Sequence, residues 1–243
     1  MLRITDARTG ELVEAAPARR GLTRVQAHAR GAGPTSLRVL LVADLLVRAL
    51  DLGGTPVRAL LTGGHGTPQL RAQAAALGMR PFEDGRDAAG PGEAQAVHVV
   101  EEGGAAPDGV RVAVAPLASP GPGEPGTPDA ADPAVLRLAL LARRRNTPAR
   151  LDAAALEDAG ATLARWRRAV AAWARHPSRP VPGEVRGRLR GAWEDDLDAP
   201  GVLRVLHRVE TDADLPEGAR FETYAYADRF LGLDLARDLG SPA

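Results

Sequence analysis

The first apolar stretches of the chain predict a short strand followed by a long helix. Residues 24–29 have the pattern of a strand and lead through a Gly-Pro loop into residues 37–50, which are apolar nearly all round. A helix of that kind is typical of the inner layer of an α/β fold. We place its N-cap at Ser36, and we expect Asp44 and Arg48, spaced i,i+4, to form its one polar stripe.

The apolar runs that follow keep the order of strand and helix. Residues 56–61 predict a buried strand, residues 67–77 a second helix, and residues 96–100 and 110–117 two further strands. Strands that alternate with helices favour a parallel or mixed sheet with helices packed on it. Residues 1–117 are therefore expected to form an α/β, Rossmann-like domain.

Beyond this domain the pattern changes from strands to helices. Residues 118–132 contain the run SPGPGEPG, which can form neither a helix nor a central strand and predicts a linker or loop. Residues 133–243 are expected to form an α-helical bundle in which Trp166 and Trp173 are core residues. Its helices are predicted at 133–145, 152–175, 183–196, 200–210 and 220–239.

Composition excludes several kinds of chemistry. The chain has no Cys and no Lys, so all 31 basic residues are Arg, and they balance 31 acidic residues. Without Lys there is no Schiff base and no phosphate-binding lysine. Without Cys there is no disulfide, no thiolate zinc site and no cysteine nucleophile. Because the net charge is zero, any contact with nucleic acid must be local.

No segment has the pattern of a targeting or membrane-spanning sequence. The N-terminus carries no apolar signal region, and Arg38, Asp44 and Arg48 interrupt the longest apolar run. We expect a cytoplasmic protein that does not enter a membrane.

Three segments, in the same order, resemble landmarks of the cysteinyl-tRNA synthetases. AGPT at 32–35 is similar to the Cys-Gly-Pro-Thr that ends the first strand of that family, DPAVLRLALL at 132–141 to the segment after its lysine loop, and EDDLDAP at 194–200 to its Asp-Asp-x-Asn/Asp-Thr-Pro segment. The related enzyme that joins cysteine to a glucosaminyl inositol in mycothiol synthesis has the same landmarks. The resemblance implies a class I synthetase-type parallel sheet followed by an α-helical bundle on the tRNA stem side.

The same comparison implies that the family's catalytic groups are missing. Ala32 stands where the family has a zinc-ligating Cys, Ser36 alone replaces the His-x-Gly-His loop, and residues 118–132 lack the lysine-rich signature. Both elements that stabilise departing pyrophosphate are therefore absent. We expect no zinc, no catalytic residues of the family type, and no activation of cysteine by its mechanism.

Two loops at the expected carboxyl edge of the sheet are candidates for residual binding of ATP or an adenylate. A Gly-rich turn between strand and helix offers backbone N–H groups to phosphate, and His65 would lie on the same edge. The alternatives are glycines kept for tight loop geometry and an exposed loop histidine. His28 is interpreted as a satisfied, half-buried strand residue, and His98 is given no role. The candidate residues are Gly31, Gly33, Thr35, Ser36, Gly64 and His65.

An arginine-rich face of the bundle is the candidate contact for RNA. Planar guanidinium groups suit phosphate oxygens, whereas the alternative is a solvated outer face with arginines at helix ends. The candidate residues are Arg143, Arg144, Arg145 and Arg168, with Arg165 and Arg167 nearby. The resulting hypothesis is a non-catalytic, synthetase-like binding or regulatory module that pairs with tRNA or a partner protein through the bundle. The alternative is a residual enzyme that uses an adenylate or aminoacyl-tRNA donor made elsewhere, and the oligomeric state stays open.

Overall fold

A computed structural model describes residues 1–17, 21–63, 67–85, 95–118 and 132–240. The strands within these residues are β1 Arg3–Thr5, β2 Leu12–Glu14, β3 Thr23–Ala29, β4 Val57–Gly63, β5 Glu83–Asp84, β6 Gln95–Glu101, β7 Val110–Val114, β8 Leu117–Ala118 and β9 Ala149–Arg150. The helices are α1 Pro34–Leu52, α2 Thr67–Ala76, α3 Pro133–Leu141, α4 Ala153–Trp173, α5 Gly183–Glu194, α6 Ala199–Thr211 and α7 Glu217–Leu231.

The centre of the fold is a five-stranded sheet with the order β5-β4-β3-β6-β7, in which every neighbouring pair is parallel. The chain leaves β3 toward β4 and β5, then continues at β6 on the opposite side of β3. This arrangement confirms the prediction of an α/β, Rossmann-like sheet with helices. The strand order reverses between β3 and β6, and that reversal is the point at which open α/β sheets bind ligands.

Helix α1 is the inner layer that its apolar sequence predicted. It packs on strands β3, β4, β6 and β7 and also contacts α2 and α7. The polar stripe is confirmed, because Arg48 Nε donates to Asp44 Oδ2 over 2.9 Å. The predicted N-cap is wrong: the helix begins at Pro34 with Gly33 as N-cap, since proline suits the first turn, where its missing N–H is not needed.

The two faces of the sheet differ in polarity because side chains alternate along each strand. Val25 and Ala27 of β3 and Val97 and Val99 of β6 are buried in the hydrophobic core that includes α1. The opposite face of the same two strands carries polar side chains, among them His98. The helix-packed face therefore supplies stability, and the polar face provides the titratable groups near the strand reversal.

Aromatic side chains form the centre of the bundle. Trp166 is fully buried, its indole N–H donates to Glu210 over 3.0 Å, and the ring of Tyr224 lies edge-on to it with centroids 5.5 Å apart. Tyr224 also contacts the ring of Trp173 at 5.1 Å. The prediction that both tryptophans are core residues is confirmed.

A buried charge cluster joins the bundle to the sheet layer. Arg137 of α3 is completely buried, and its Nη2 donates to Asp44 of α1 over 2.6 Å. The same guanidinium donates to the carbonyl oxygens of Leu77 and Leu231. Gly232 follows with φ 62°, and a Cβ there would lie 2.9 Å from Arg137 Nη2. Glycine ends α7 because no other side chain fits against the guanidinium.

Several predicted boundaries shift where tertiary contacts intervene. The strand predicted at 110–117 ends at Val114, and β8 instead pairs with β9. The helix predicted at 220–239 is Glu217–Leu231, because Gly232 adopts the left-handed conformation. The helix predicted at 133–145 is Pro133–Leu141.

The proposed division at 118–132 falls almost entirely outside the described residues and stays a prediction. One hydrophobic cluster includes residues on both sides of it, from Val25 in β3 to Leu233 after α7. No helix among the described ranges is both long and apolar enough to cross a membrane.

Candidate functional site

The candidate site lies at the carboxyl ends of β3 and β6, and we call this region the crevice after the position at which open parallel sheets bind ligands. The loop at 30–33 connects β3 to the N-terminus of α1, and β6 ends beside it at Glu101. In open parallel sheets, a ligand binds outside the carboxyl ends of the two strands at which the order reverses. Topology therefore brings the predicted loop to the expected position.

The hydroxyl groups of Thr35 and Ser36 are used inside the protein. Ser36 is 2% exposed, and its Oγ donates to the Glu101 carboxylate over 2.8 Å. Thr35 Oγ1 accepts from the Leu117 amide at 3.1 Å and donates to the Leu117 carbonyl at 3.4 Å. These bonds attach the first turn of α1 to β6 and β8. Both residues lie at the crevice as predicted, whereas their role in nucleotide binding stays a prediction.

Gly31 and Gly33 leave open space above the loop. Neither glycine has a positive φ, and no described atom lies within 4 Å of the position that a Cβ would occupy. Local backbone geometry therefore does not require glycine at either position, which argues against the tight-geometry alternative. No described atom fills the space next to these two glycines.

Of the second predicted loop, the structure describes only the end of the preceding strand. Gly64 and His65 lie outside the described residues, so their role stays a prediction. The preceding strand ends at Gly63, which is paired with Ala29 at the end of β3.

Two histidines form a hydrogen-bonded pair beneath the crevice. His28 Nε2 lies 2.9 Å from His98 Nδ1, and His98 Nε2 lies 3.2 Å from the Asp108 carbonyl oxygen. Both contacts are satisfied when His98 donates to the carbonyl and accepts from His28. This pair agrees with the interpretation of His28 as a satisfied, half-buried side chain. The partnership of His98 was missed because it depends on the register between β3 and β6.

Both members of the pair are neutral at pH 7. Burial is the main reason that the pKa of His28 is lowered to about 4, and electrostatic repulsion from His98 and Arg111 contributes to the same shift. Burial also lowers the pKa of His98. The hydrogen bond to the Asp108 carbonyl raises this pKa, whereas the charge of Arg111 lowers it. Burial and the nearby charge of Arg111 therefore both disfavour protonation of the pair at neutral pH.

We expect the free energy of unfolding to fall as the pH is lowered from about 6.5 to about 4. The depressed pKa means that the unfolded state binds more protons in this window, so acid favours unfolding. The contribution of His28 should be on the order of 1–2 kcal/mol, because the residue is only half-buried and partly screened. Urea unfolding at a series of pH values measures it.

A variant of His28 and a control without an ionisable group test this pH dependence. His28→Gln should reduce the slope of stability against pH, whereas Gln69→Ala, at an exposed position, should leave it unchanged. If the slope of stability against pH in His28→Gln equalled that of the unchanged protein, His28 would not be the source of this pH dependence.

The predicted RNA-binding arginines do not share one surface. Arg145 is 9% exposed, donates to the Ala113 carbonyl over 2.8 Å and forms an ion pair with Asp196. Its placement on an exposed basic face is therefore wrong, because its guanidinium is turned into the protein. Arg144 is exposed but lies 3.7 Å from an Asp198 oxygen. Arg143 remains exposed.

The arginines of α4 are also divided between the interior and the surface. Arg165 pairs with Glu210 at 2.7 Å, and Arg167 is buried against Asp132 at 2.6 Å. Arg168 is exposed. Among the residues that the structure describes, neither Arg143 nor Arg168 has an ionic partner, and their binding of RNA stays a prediction.

The acidic segment 194–198 holds distant parts of the chain together. Asp196 has φ 55°, its amide donates to the Arg3 carbonyl over 3.0 Å, and its carboxylate accepts from the Thr5 amide over 2.8 Å. The same carboxylate pairs with Arg145. The left-handed backbone turns Asp196 toward strand β1 and the turn after α3, which gives this segment a structural role.

The crevice does not offer a thiolate or imidazole at the loop position that the family uses for zinc. Ala32 presents only a methyl group there. Within the described ranges, no group of three or more His, Cys, Asp or Glu residues has the arrangement to hold a metal ion.

No protein-family model matches the chain. A segment of 76 residues is 49% identical to the L-cysteine:1D-myo-inositol 2-amino-2-deoxy-alpha-D-glucopyranoside ligase of Parafrankia sp. and covers 31% of this chain and 16% of that enzyme. This chain is similar to the cysteine ligases over part of its length. The ligase of the same description in Acidothermus cellulolyticus is 37% identical over 107 residues. This segment covers 43% of this chain and 25% of that enzyme.

The ligase of Nocardiopsis dassonvillei gives a comparable match, with 35% identity over 108 residues, 43% of this chain and 26% of the enzyme. The resemblance to the synthetase-related cysteine ligases is thereby confirmed. In these three comparisons the matched segment spans between a sixth and about a quarter of the ligase.

Proposed function

We propose that the protein is a non-catalytic, ligase-like module that acts by binding a partner. The observation that carries this proposal is the state of the crevice: Thr35 and Ser36 are engaged by Leu117 and Glu101, and Ala32 lies where the family has a metal ligand. These features support a ligase-like frame whose groups no longer perform the ligase reaction.

The charge at the strand reversal supports a loss of adenylation. Adenylate formation develops negative charge on pyrophosphate, which positively charged or donor groups must stabilise. In this crevice Glu101 places a carboxylate at the end of β6, where Ser36 donates to it. Two negative groups in one crevice repel each other, and the chain has no lysine to offset that repulsion.

The chain is expected to give no cysteine-dependent exchange of pyrophosphate into ATP. Loss of one charge-stabilising group commonly lowers the rate by about 10²–10³-fold, so loss of two should bring exchange to background. The measurement compares this protein with an active cysteine ligase and with a blank without protein. Exchange above the blank that requires cysteine would overturn the proposal.

A second candidate is an enzyme that uses an adenylate made elsewhere, and the open space at Gly31 and Gly33 favours it. Calorimetry with ATP, cysteine and a stable cysteinyl-adenylate analogue separates the two candidates. Gly33→Val is a suitable variant, since the position has φ −75° and no described atom near the added side chain. Tight binding of the analogue that Gly33→Val abolishes would support this second candidate. No binding of the three compounds would leave the enzyme hypothesis without a substrate.

A further inference from the structure

We infer that the helical bundle carries a docking groove for an acidic segment of a partner protein, with Arg186, Tyr226 and Arg229 as its main contacts. This inference rests on the proposed function, because it names the surface and the partner chemistry of the binding module. It does not involve the crevice of the sheet.

The groove lies between α7, α5 and the extended segment before α5. Its volume is about 580 Å³, and Ser178, Pro180 and Val181 line its side opposite α7. Helix α7 contributes a stripe with the spacing i, i+3, i+4 and i+7, which places four side chains on one helix face. The members of the stripe are Glu222, Ala225, Tyr226 and Arg229.

Positive charge without an ionic partner lines this groove. The side chains of Arg186 and Arg229 are exposed, and no carboxylate among the described residues pairs with either of them. The one carboxylate of the groove, Glu222, accepts a hydrogen bond from Ser178 Oγ over 2.6 Å. Two guanidinium groups without an ionic partner thus outweigh one engaged acid, and the groove is complementary to an anionic occupant.

The lining of the groove favours an acidic protein segment over an extended nucleic acid, because apart from the exposed Arg179 beside it only Arg186 and Arg229 of the described residues supply positive charge there. Other arginines of α5 are neutralised along the helix: Arg188 pairs with Glu184 at 3.3 Å and Arg190 with Glu194 at 2.9 Å. Binding to a phosphate backbone needs several uncompensated cations in a row. A cluster of acidic side chains needs only the two positive charges that Arg186 and Arg229 supply.

The residue types are those that dominate protein interfaces. Tyr226 is half-buried, packs on the ring of Trp193 at 5.4 Å, and has the Arg186 guanidinium 6.0 Å above its own ring. An anchored ring beside arginine offers contact area and charge with little loss of side-chain freedom, and tyrosine and arginine are enriched among binding hot spots. Pro180 and Val181 add an apolar side for the stem of a partner's residue.

The test uses a fluorescein-labelled decapeptide of Glu and Asp with one central Leu, in low salt, and fluorescence anisotropy with the full chain. We expect saturable binding that weakens at least tenfold in the double variant Arg186→Glu, Arg229→Glu. The matched control is Arg143→Glu, Arg168→Glu, which makes the same change of charge at exposed arginines outside the groove and should bind like the unchanged protein. Circular dichroism confirms that both variants are folded.

Every outcome of this experiment decides the inference. No binding of the peptide, or an equal loss in both double variants, overturns it. A single-stranded RNA decamer that binds more tightly than the peptide and is lost in the Arg143, Arg168 variant would assign the partner to nucleic acid instead. A different result would contradict the proposed function, namely cysteine-dependent exchange of pyrophosphate into ATP, whether or not the peptide binds.

Discussion

Replacement of Asp44 by alanine is expected to destabilise the protein by about 3–5 kcal/mol. Asp44 accepts from the fully buried Arg137 at 2.6 Å and from Arg48 at 2.9 Å, and it also accepts from the Arg80 amide at 3.0 Å. Burial lowers the pKa of Arg137, and the Asp44 carboxylate opposes that shift. Arginine nevertheless stays charged, so the variant removes the ion-pair partner of a charge in the core and leaves only the Asp228 carboxylate to offset it. Removal of one partner is the most costly way to break a buried ion pair.

Urea unfolding of two further variants separates the buried pair from ion pairs in general. Asp51→Ala removes a half-exposed partner of Arg80 at 3.0 Å and should cost less than about 1 kcal/mol. The double variant Asp44→Leu, Arg137→Met should be more stable than Asp44→Ala, because it removes both charges. If Asp44→Ala cost no more than Asp51→Ala, the cluster would not be the junction that its geometry indicates.

Replacement of Arg38 by methionine should cost about 3 kcal/mol or more. Arg38 is 2% exposed, and its guanidinium donates to four backbone carbonyl oxygens, at distances from 2.6 to 3.3 Å. These belong to Ala115, Pro116, Arg144 and Thr147. Methionine keeps much of the stem volume, so the loss reports the carbonyl groups left without a donor, each costing about 1–3 kcal/mol where it is buried.

The part of the structure that Arg38→Met loosens can be measured as well as the loss of stability. Arg38→Met should increase amide hydrogen exchange in the segment between β7 and β8 and in the turn after α3, the two segments that the guanidinium joins. Arg30→Met, at an exposed position before the crevice, should change neither stability nor exchange by a measurable amount. A cost below about 1 kcal/mol for Arg38→Met would show that water or other donors satisfy these carbonyls.

The sequence could predict α1 and half of its charge cluster. The apolar run showed a buried helix, and the i,i+4 spacing showed that Asp44 and Arg48 share a stripe. It could not predict Arg137, which lies 93 positions from Asp44 in the chain. Only the packing of α3 and α7 against α1 brings that guanidinium to the carboxylate.

The arginines after α3 show the same limit at the candidate RNA surface. Three consecutive arginines follow Leu141 with little in the local pattern to separate them. Arg145 turns inward because Asp196, held by the left-handed backbone of its own turn, lies within reach, while Arg143 stays exposed. A charged side chain is assigned to surface or core by its distant partner rather than by its neighbours in sequence.

The sequence by itself determined the order of strands and helices and the absence of lysine and cysteine chemistry, because periodicity and composition are properties of neighbouring residues. Tertiary structure alone decided which polar groups meet. The pair His28 and His98 depends on strand register, and the engagement of Ser36 by Glu101 depends on the approach of α1 to β6. Such contacts join positions 65 and 70 residues apart, and no local pattern encodes that distance.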